Sequence, residues 1–537
     1  MQIKEDTEIK ATGDAQQTND QQTSAAEKNI TSPKHETNVD DREQEGSRRD
    51  PSNRWLRTRK SDYDLPDAKR HKGEFKDKRA LTSDGKPMFP NEKRKPKKKV
   101  ACLIGYCGAG YHGMQINPPN KTIEGDLFKA MVDAGAISKN NSNDLKKSGF
   151  MRAARTDKGV HAAGNVISLK MIVEDEDVVE KINQALPEQI RVWGYQRVNK
   201  SFDCRKMCSS RIYEYLMPTY SFLPPRLNSP LYKLVKRMQA DHPENIRVDA
   251  DGEKFWVDLL GKLEAAGIDQ NQLDQITEAN REDIPLTVPL QIASETVKKF
   301  SGEAREKYRI KKEKLDVFRD TMKLYEGSHN FHNFTNGKDF RDPSAKRYMK
   351  NITVSEPFVI GNLEWVSIKI HGQSFMLHQI RKMIGLASLI VRTGCPIDKI
   401  RESFRMPKVN IPKAPALGLL LERPVYDGFN EKLKSYGHDP ITFDKFTDKM
   451  EAFKKKFIYS KIYEQEESEH TFHGFFGFID YFTGNEASNQ GLAIFDFVTQ
   501  GEINGEIKND AKETGEKADE KIENTENVEN KPEDKTE

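Results

Sequence analysis

The chain is poor in cysteine and contains no long apolar segment. Five cysteines spread over 537 residues do not form the framework of a disulfide-stabilised domain, so we expect a reducing compartment. No apolar run approaches the roughly 20 residues needed to cross a bilayer. Residues 1–6 lack the apolar stretch of a secretory signal and the acid-poor character of a transit peptide. These features argue against secreted disulfide-rich and membrane-spanning classes, and no membrane partner is expected.

Hydrophobic residues and cofactor motifs are also scarce. Only 35% of the chain is hydrophobic, so part of it is expected not to pack into a core. A Walker Gly-Lys-Ser/Thr motif is absent. Gly108, Gly110 and Gly113 match the dinucleotide pattern Gly-x-Gly-x-x-Gly, but Asn-Pro-Pro at 117–119 follows where a helix should begin. A dinucleotide or ATP site is disfavoured, and an RNA methyltransferase built on residues 105–113 stays as an alternative.

The net charge of +3 conceals blocks of opposite sign. Residues 1–50 and 501–537 are acidic, whereas residues 51–100 are strongly basic. Charge blocks without apolar periodicity are typical of disordered tails, which we predict over 1–97 and 501–537. The basic cluster Lys93-Arg94-Lys95-Pro96-Lys97-Lys98-Lys99 fits a nuclear import signal, an RNA-backbone contact or a solvated linker.

Between the tails, the hydrophobic pattern alternates between strand and helix periods. Apolar runs and period-two alternation predict strands, and apolar residues at every fourth position predict helices. This order predicts an α/β domain with helices packed on a sheet. The predicted elements are a strand at 100–106, a helix through Ile123, Leu127 and Met131 that Asn120 should cap, a strand at 165–173, a helix through Val178, Ile182 and Leu186, and a strand from 190.

Residues 150–164 are the most informative stretch. Nearby positive charge keeps a carboxylate ionised, and the small residues that follow let a backbone or a ligand come close. Taken alone, the stretch fits either a reactive acid or a salt-bridged surface loop. It contains a single acid, Asp157, among the cations Arg152, Arg155, Lys158 and His161.

Two further patterns lie downstream. Tyr213 and Tyr215 share one face of a predicted strand at 211–217, which suits a sheet core or an aromatic platform for a base. Arg381 lies in an apolar helix, where an arginine usually needs an acidic partner or extends to solvent. His329-x-x-His332 and Cys204-x-x-x-Cys208 invite a zinc interpretation, but neither supplies the regular four-ligand spacing of a zinc site.

The segment Arg155–Ala162, Arg-Thr-Asp-Lys-Gly-Val-His-Ala, resembles the signature of the TruA-type tRNA pseudouridine synthases, especially their eukaryotic nuclear members. Other motifs of that family follow the same order along residues 100–430. They are Tyr-x-Gly-x-x-Tyr-x-Gly-x-Gln at 106–115, Arg-x-Tyr-x-Tyr at 211–215, Gly-x-His-x-Phe-x-x-Phe at 327–334, the arginine-bearing helix from Phe375 to Arg381, and Ala-Pro-x-x-Gly-Leu at 414–419.

The resemblance implies a fold of class α/β (α+β). Two ferredoxin-like, RRM-like halves at 98–224 and 321–430 would form one extended, mainly antiparallel sheet with a central RNA cleft. Residues 225–320 would be a charged helical insertion, and residues 431–500 an accessory helical segment. Bacterial members dimerise, but the insertion makes a monomer our expectation.

The same resemblance assigns roles. Asp157 would be the essential nucleophile or base, with the choice between the two left open. Arg381 would be its ion-pair partner, Tyr213 would stack on the uracil, and Arg155 would help to flip the base. Further RNA contacts would come from Arg152, Lys158, His161, Tyr106, Tyr111, Phe375 and Lys382.

Partners and location are also implied by the resemblance. The substrates would be tRNA at several sites, U2-type snRNA and mRNA, and the enzyme would be nuclear, with an import receptor bound to the basic cluster. The isomerisation requires no cofactor, and zinc is suggested only by its association with nuclear members. A catalytically silent RNA-binding protein is the second alternative beside the methyltransferase.

Overall fold

The chain is described by a computed structural model covering residues 89–282, 284–481 and 498. Most of the predicted tail 1–97 and the whole tail 501–537 lie outside these residues. Contacts begin before the expected boundary at Lys98, because Glu92 accepts hydrogen bonds from the backbone N–H groups of Lys139 (2.6 Å) and Asn140 (2.9 Å). Within the described part, no helix is both long and apolar enough to span a bilayer.

One mainly antiparallel sheet organises the described residues, as predicted. Its main path runs β4-β1-β3-β10-β5-β9-β7-β6, with β2 paired to β3 and β8 to β9. The strands are β1 (Lys98–Tyr106), β2 (Met151–Arg152), β3 (His161–Met171), β4 (Ile190–Arg197), β5 (Ser210–Pro218), β6 (Gly327–Asn330), β7 (Lys346–Val354), β8 (Phe358–Ile360), β9 (Leu363–Gly372) and β10 (Leu419–Val425).

The helices confirm the mixed α/β class. They are α1 (Ile123–Asp133), α2 (Leu145–Ser148), α3 (Val178–Ala185), α4 (Pro230–Asp241), α5 (Ala250–Ala265), α6 (Gln270–Glu282), α7 (Val288–Lys307), α8 (Lys312–Lys323), α9 (Gln379–Thr393), α10 (Lys399–Glu402), α11 (Asp427–Ser435), α12 (Thr447–Phe453), α13 (Ser460–Glu469) and α14 (Thr471–Tyr481). Short 3-10 turns occur at Lys139–Asn141, Thr219–Phe222, His332–Phe334, Pro343–Ala345 and Asp444–Phe446.

The start of α1 corrects one expectation. The side chain of Thr122, not Asn120, caps the helix by accepting a hydrogen bond from the Gly125 N–H at 3.3 Å. Asn120 instead forms an isolated bridge with Asn117. Both residue types cap helices well, so only the path of the preceding loop selects between them.

Strand β10 joins the two halves of the sheet. It runs parallel to β3, with Leu420 opposite His161, and antiparallel to β5, with Leu421 opposite Tyr213. Every other strand pair in the described sheet is antiparallel. The strand that follows the Asp157 loop is therefore held one strand away from the strand that carries Tyr213.

Helices α4–α8 occupy the predicted insertion and are anchored to the rest of the protein. The Trp256 indole in α5 donates a hydrogen bond to the Pro224 carbonyl at 2.9 Å. The backbone N–H of Arg247 donates to the Gly394 carbonyl at 2.8 Å, directly after α9. The insertion is thus fixed against the end of the helix that carries Arg381.

A continuous helical run from α12 to α13 packs on the sheet through a buried charge cluster. Its central residues, Lys454–Tyr459, form a π-helical segment. The Lys454 ammonium is 2% exposed and lies 3.5, 3.1 and 2.7 Å from carboxylates of Glu214, Glu422 and Glu451. The Tyr459 hydroxyl donates to Glu214 at 2.9 Å. Glu214 directly precedes Tyr215 in β5, so this accessory segment braces the aromatic strand.

Replacing Lys454 should therefore destabilise the protein strongly. In the Lys454→Ala variant, Glu214 remains buried without its cation, and breaking a buried pair in this way costs about 3–5 kcal/mol of unfolding free energy. Urea denaturation measures the change. Lys455→Ala, at an exposed position one residue along, should change the unfolding free energy by less than about 0.5 kcal/mol. Equal midpoints for the two variants would contradict the role of the cluster.

Candidate active site

The loop that carries Asp157 is held by the glycine-rich segment after β1. The Met114 N–H donates to the Thr156 carbonyl at 3.1 Å, and the Gly159 N–H donates to the Tyr111 carbonyl at 3.2 Å. A Cβ on Gly108 would lie 2.3 Å from the Val160 carbonyl oxygen. Glycine is thus required for the close approach of two backbones. Two of the glycines on which the methyltransferase alternative depended, Gly108 and Gly113, are packed against the Asp157 loop.

Two tyrosines predicted to contact RNA stabilise this loop instead. Tyr106 is fully buried, and its hydroxyl pairs with Thr156 Oγ1 at 2.9 Å. Tyr111 is also buried, and its hydroxyl donates to Asp126 at 2.6 Å. Neither ring is open for a base to stack on in this structure. Their aromatic spacing in the sequence did not reveal that both rings point into the core of the first half.

The Asp157 side chain is exposed and has no hydrogen-bond or ion-pair partner among the described residues. Arg155 and Lys158 beside it are exposed as well. Arg152 differs, because its guanidinium pairs with the buried Glu124 carboxylate. The loop therefore presents one unpaired carboxylate between two solvent-facing cations, while Arg152 serves to attach the loop to α1.

Tyr213 lies within electrostatic reach of Asp157. Burial raises the pKa of Tyr213, and the negative charge of Asp157 adds to this rise. The half-buried Tyr213 ring packs edge-to-face on Phe375, with 5.0 Å between ring centroids. Phe375 comes from the loop before α9, so three separate segments of the chain converge here: the Asp157 loop, β5 and the approach to α9.

Arg381 in the first turn of α9 completes this group. Burial lowers the pKa of Arg381, and the negative charge of Asp157 opposes this effect. The Nε–H of Arg381 donates to the Ala414 carbonyl at 2.6 Å. The structure brings Arg381 and Asp157 close enough to interact electrostatically, although they form no direct ion pair within the described part of the chain. The ion pair itself stays a prediction.

His378 is a neighbour that the sequence interpretation did not include. It precedes α9 with a left-handed backbone (φ 65°), which is uncommon for a residue other than glycine. Burial lowers the pKa of His378, Lys413 and Arg381 act in the same direction, and Asp157 opposes them. No periodicity or spacing in the sequence signals this residue, because its strained backbone arises only where the loop meets α9.

Comparison with known proteins identifies the family. A family model described as tRNA pseudouridine synthase matches residues 321–427. The tRNA pseudouridine synthase 1 of Yarrowia lipolytica is 53% identical over 463 residues, which cover 82% of this chain and 85% of the relative. Its Kluyveromyces lactis counterpart is 57% identical over 407 residues, covering 75% and 73%. The tRNA pseudouridine(27/28) synthase of Saccharomyces cerevisiae is 42% identical over 375 residues, covering 69% and 96%.

The chain belongs to the TruA-type tRNA pseudouridine synthase family. The family resemblance read from the Arg155–Ala162 motif is confirmed, as is the similarity to eukaryotic members named pseudouridine synthase 1. The chain is accordingly an enzyme of the isomerase class.

The histidine and cysteine pairs that invite a zinc interpretation in the sequence do not form a metal site in the described part of the structure. The described residues contain no group of three or more His, Cys, Asp or Glu side chains arranged to hold a metal ion. His329 Nε2 is already hydrogen-bonded to the Glu326 carbonyl at 2.7 Å. Burial raises the pKa of the Cys204 thiol to about 11, and this thiol donates to the Met151 carbonyl. His329 and Cys204 are thus already engaged in hydrogen bonds with the backbone.

Lys382 and His161, two other residues of the synthase that were predicted to contact RNA, are buried. Lys382 donates to the Asn333 carbonyl at 3.2 Å, and burial, with Lys408 and Lys413 nearby, lowers its pKa to about 8. His161 is 3% exposed and accepts a hydrogen bond at Nδ1 from the Gly108 N–H at 3.0 Å. Burial lowers the pKa of His161 to about 4. At neutral pH the imidazole is therefore uncharged and cannot form an ion pair with phosphate.

The depressed pKa of His161 predicts a pH-dependent stability. Folding favours the neutral ring, so the unfolded chain binds more protons between about pH 4 and pH 6.5. The contribution of His161 is complete above about pH 6.5 and is lost as the pH falls toward 4, by about 3 kcal/mol in total.

Urea unfolding at pH 7 and pH 4.5 measures this loss. His161→Asn keeps an acceptor for the Gly108 N–H without a titratable group. This variant should lose less stability than the wild type over the same pH interval. An identical loss in both proteins would show that His161 does not contribute.

Proposed function

We propose that this chain converts uridine to pseudouridine in tRNA, with Asp157 as the essential residue. The observation that carries the proposal is the unpaired, exposed Asp157 carboxylate, which acts electrostatically on both Tyr213 and Arg381. The names of the relatives, which describe tRNA pseudouridine synthases, support the same reaction and substrate.

The isomerisation of uridine requires few groups beyond these side chains. The bond between C1′ of ribose and N1 of uracil breaks, the detached base turns, and a bond forms between C1′ and C5. The proton leaves C5 and a proton is bound at N1, so reactant and product are isomers and no group or electron is consumed. An ionised carboxylate can attack a sugar carbon or remove a proton from the sugar, and both routes for Asp157 remain open.

The neighbours of Asp157 suit the remaining requirements. Arg381 would orient the carboxylate through charge-assisted hydrogen bonds once substrate is bound. Tyr213, kept neutral by burial, would stack on the uracil while it turns. The target base must leave its stack before the chemistry, and the exposed Arg155 would fill the space that it vacates.

Finer features of the function are part of the proposal. We infer that several tRNA uridines are modified, that U2-type snRNA and mRNA are also substrates, and that the enzyme works in the nucleus. The basic cluster at 93–99 supports recognition by an import receptor. We propose a monomer, because the insertion of helices α4–α8 adds bulk that bacterial members lack.

The central prediction concerns Asp157→Asn, which keeps the size of the side chain and removes its charge. Pseudouridine formation in a tRNA transcript should fall at least about a thousandfold, or about 4 kcal/mol. The dissociation constant for tRNA should change less than tenfold, about 1.4 kcal/mol. Asp177→Asn, also at an exposed position, is the matched control and should keep full activity.

The outcome separates an enzyme from a silent RNA-binding protein. If full activity persists in Asp157→Asn, the assignment is wrong, and if the wild type forms no pseudouridine, the silent alternative holds. Chemical labelling of pseudouridine in total RNA from cells carrying either the wild type or Asp157→Asn would show which tRNA, snRNA and mRNA sites depend on the enzyme.

Arg381 should be needed for turnover and not for RNA affinity. In Arg381→Ala, we expect the single-turnover rate to fall by about 10²–10³, the range found when one stabilising donor is removed from an active site. The dissociation constant for tRNA should stay within tenfold. Arg401→Ala, which removes an exposed arginine paired with Asp398, should keep the wild-type rate. An unchanged rate in Arg381→Ala would remove Arg381 from the mechanism.

A further inference from the structure

A cavity lies beside the Asp157 loop and has no role in the proposed chemistry. Its volume is about 710 Å³, within the range of cavities that hold small organic ligands. Lys158, Gly159 and His161 form one wall, directly after Asp157, together with the Ala109–Gly110 and Ala416–Leu417 turns. The opposite wall is helix α13, which lies outside the residues that match the family model.

One face of α13 lines this cavity. Its lining residues recur at the three- and four-residue spacing that places side chains on the same side of a helix. All of them are polar or charged, and the next residues along the same helix, Ile462 and Glu466, are buried in the core. The lining face consists of Lys461, Glu464, Gln465, Ser468 and Glu469.

The loop wall offers a hydrogen-bond donor. Because His161 Nδ1 accepts from the Gly108 N–H, the neutral ring carries its proton on Nε2. Nε2 has no hydrogen-bond partner among the residues that the structure describes. A ring N–H that lines a cavity and lacks a protein partner suits an acceptor on a ligand.

The helix wall is rich in acceptors. Gln465 Nε2 already donates to Glu469 at 2.8 Å, which leaves its carbonyl oxygen free to accept. One oxygen of the Glu464 carboxylate lies 3.8 Å from Lys461 Nζ, and the other oxygen remains available to accept a hydrogen bond. Carboxylates repel phosphate and accept hydrogen bonds from exocyclic amino groups of bases. The helix wall therefore offers acceptors that suit the edge of a base.

We propose that this cavity binds the base of a nucleotide adjacent to the target uridine and prefers a base with an exocyclic amino group. Glu464 and Gln465 would accept hydrogen bonds from that group, and the His161 Nε2–H would donate to a ring nitrogen or carbonyl. The glycines at 110 and 159 have no atom within 4 Å of an added Cβ, so the floor leaves room for a planar ring. The inference rests on the proposed function, because the position of the cavity is defined relative to Asp157.

The test uses the full-length protein and a set of tRNA transcripts with one target uridine. Its 5′ or 3′ neighbour is adenine, cytosine, guanine, uracil or an abasic site. For the wild type, the base at one of these two positions should affect KM. Uracil or an abasic site at that position should raise KM about tenfold relative to the preferred amino-bearing base, with kcat unchanged. In the double variant Glu464→Ala/Gln465→Ala, this preference should disappear.

Glu467→Ala is the matched control, because Glu467 lies on α13 but lines a different cavity and should keep the wild-type preference. Unfolding midpoints verify that each variant is folded. A wild-type preference that survives in the double variant, or no preference at either neighbour, would overturn the proposal. The affinity of Asp157→Asn for the same transcripts tests the cavity separately from the reaction. If no wild-type pseudouridine forms but the affinity preference is present, the proposed function fails and the base site stands.

Discussion

The insertion of strand β10 between β3 and β5 is the constraint on which the site depends. Leu420 lies opposite His161 at the start of β3, and Leu421 lies opposite Tyr213 in β5. Without this strand, the Asp157 loop and the aromatic strand would belong to separate halves of the sheet. A single parallel pairing in an otherwise antiparallel sheet thus places an acid next to an aromatic ring that lies more than 50 residues away in the sequence.

The side chains around this junction differ in how deeply they are buried, and this difference determines which of them a substrate can reach. Asp157 is exposed and unpaired among the described residues, so solvent and substrate have direct access to its charge. Tyr213 and Arg381 are desolvated, which keeps the phenol neutral and makes the guanidinium responsive to the nearby carboxylate. Half-buried groups surround one accessible carboxylate, as expected of a preorganised active site.

The accessory helices contribute more than bulk. Lys454 and Tyr459 in the π-helical segment engage Glu214 beneath the aromatic strand, and π-helical segments are frequent at functional sites. The next turns form helix α13, which faces the Asp157 loop across a polar cavity. One helical run therefore both supports the strand that carries Tyr213 and lines the cavity beside Asp157.

Short-range patterns made much of the fold and site predictable. The alternation through Tyr213, the helical spacing of Ile123 and Leu127 and the cations around Asp157 are local features, so they were legible in the sequence together with the family motif. The burial of Tyr106 and Tyr111, the hydrogen bond of the Cys204 thiol to the backbone and the choice of Thr122 as a helix cap were not. Each of these depends on which distant segment covers the residue.

By itself, the sequence determined the order of strands and helices, the acid at the centre of a basic loop and the membership of a family. Only the tertiary structure decided that β10 would join the two halves of the sheet and that His378 would adopt a strained backbone before α9. It also decided that α13 would line the cavity beside the Asp157 loop. The physical reason is the distance along the chain over which each interaction acts. Periodicity and local charge act over a few residues, whereas burial, desolvation and strand pairing join segments that are hundreds of residues apart.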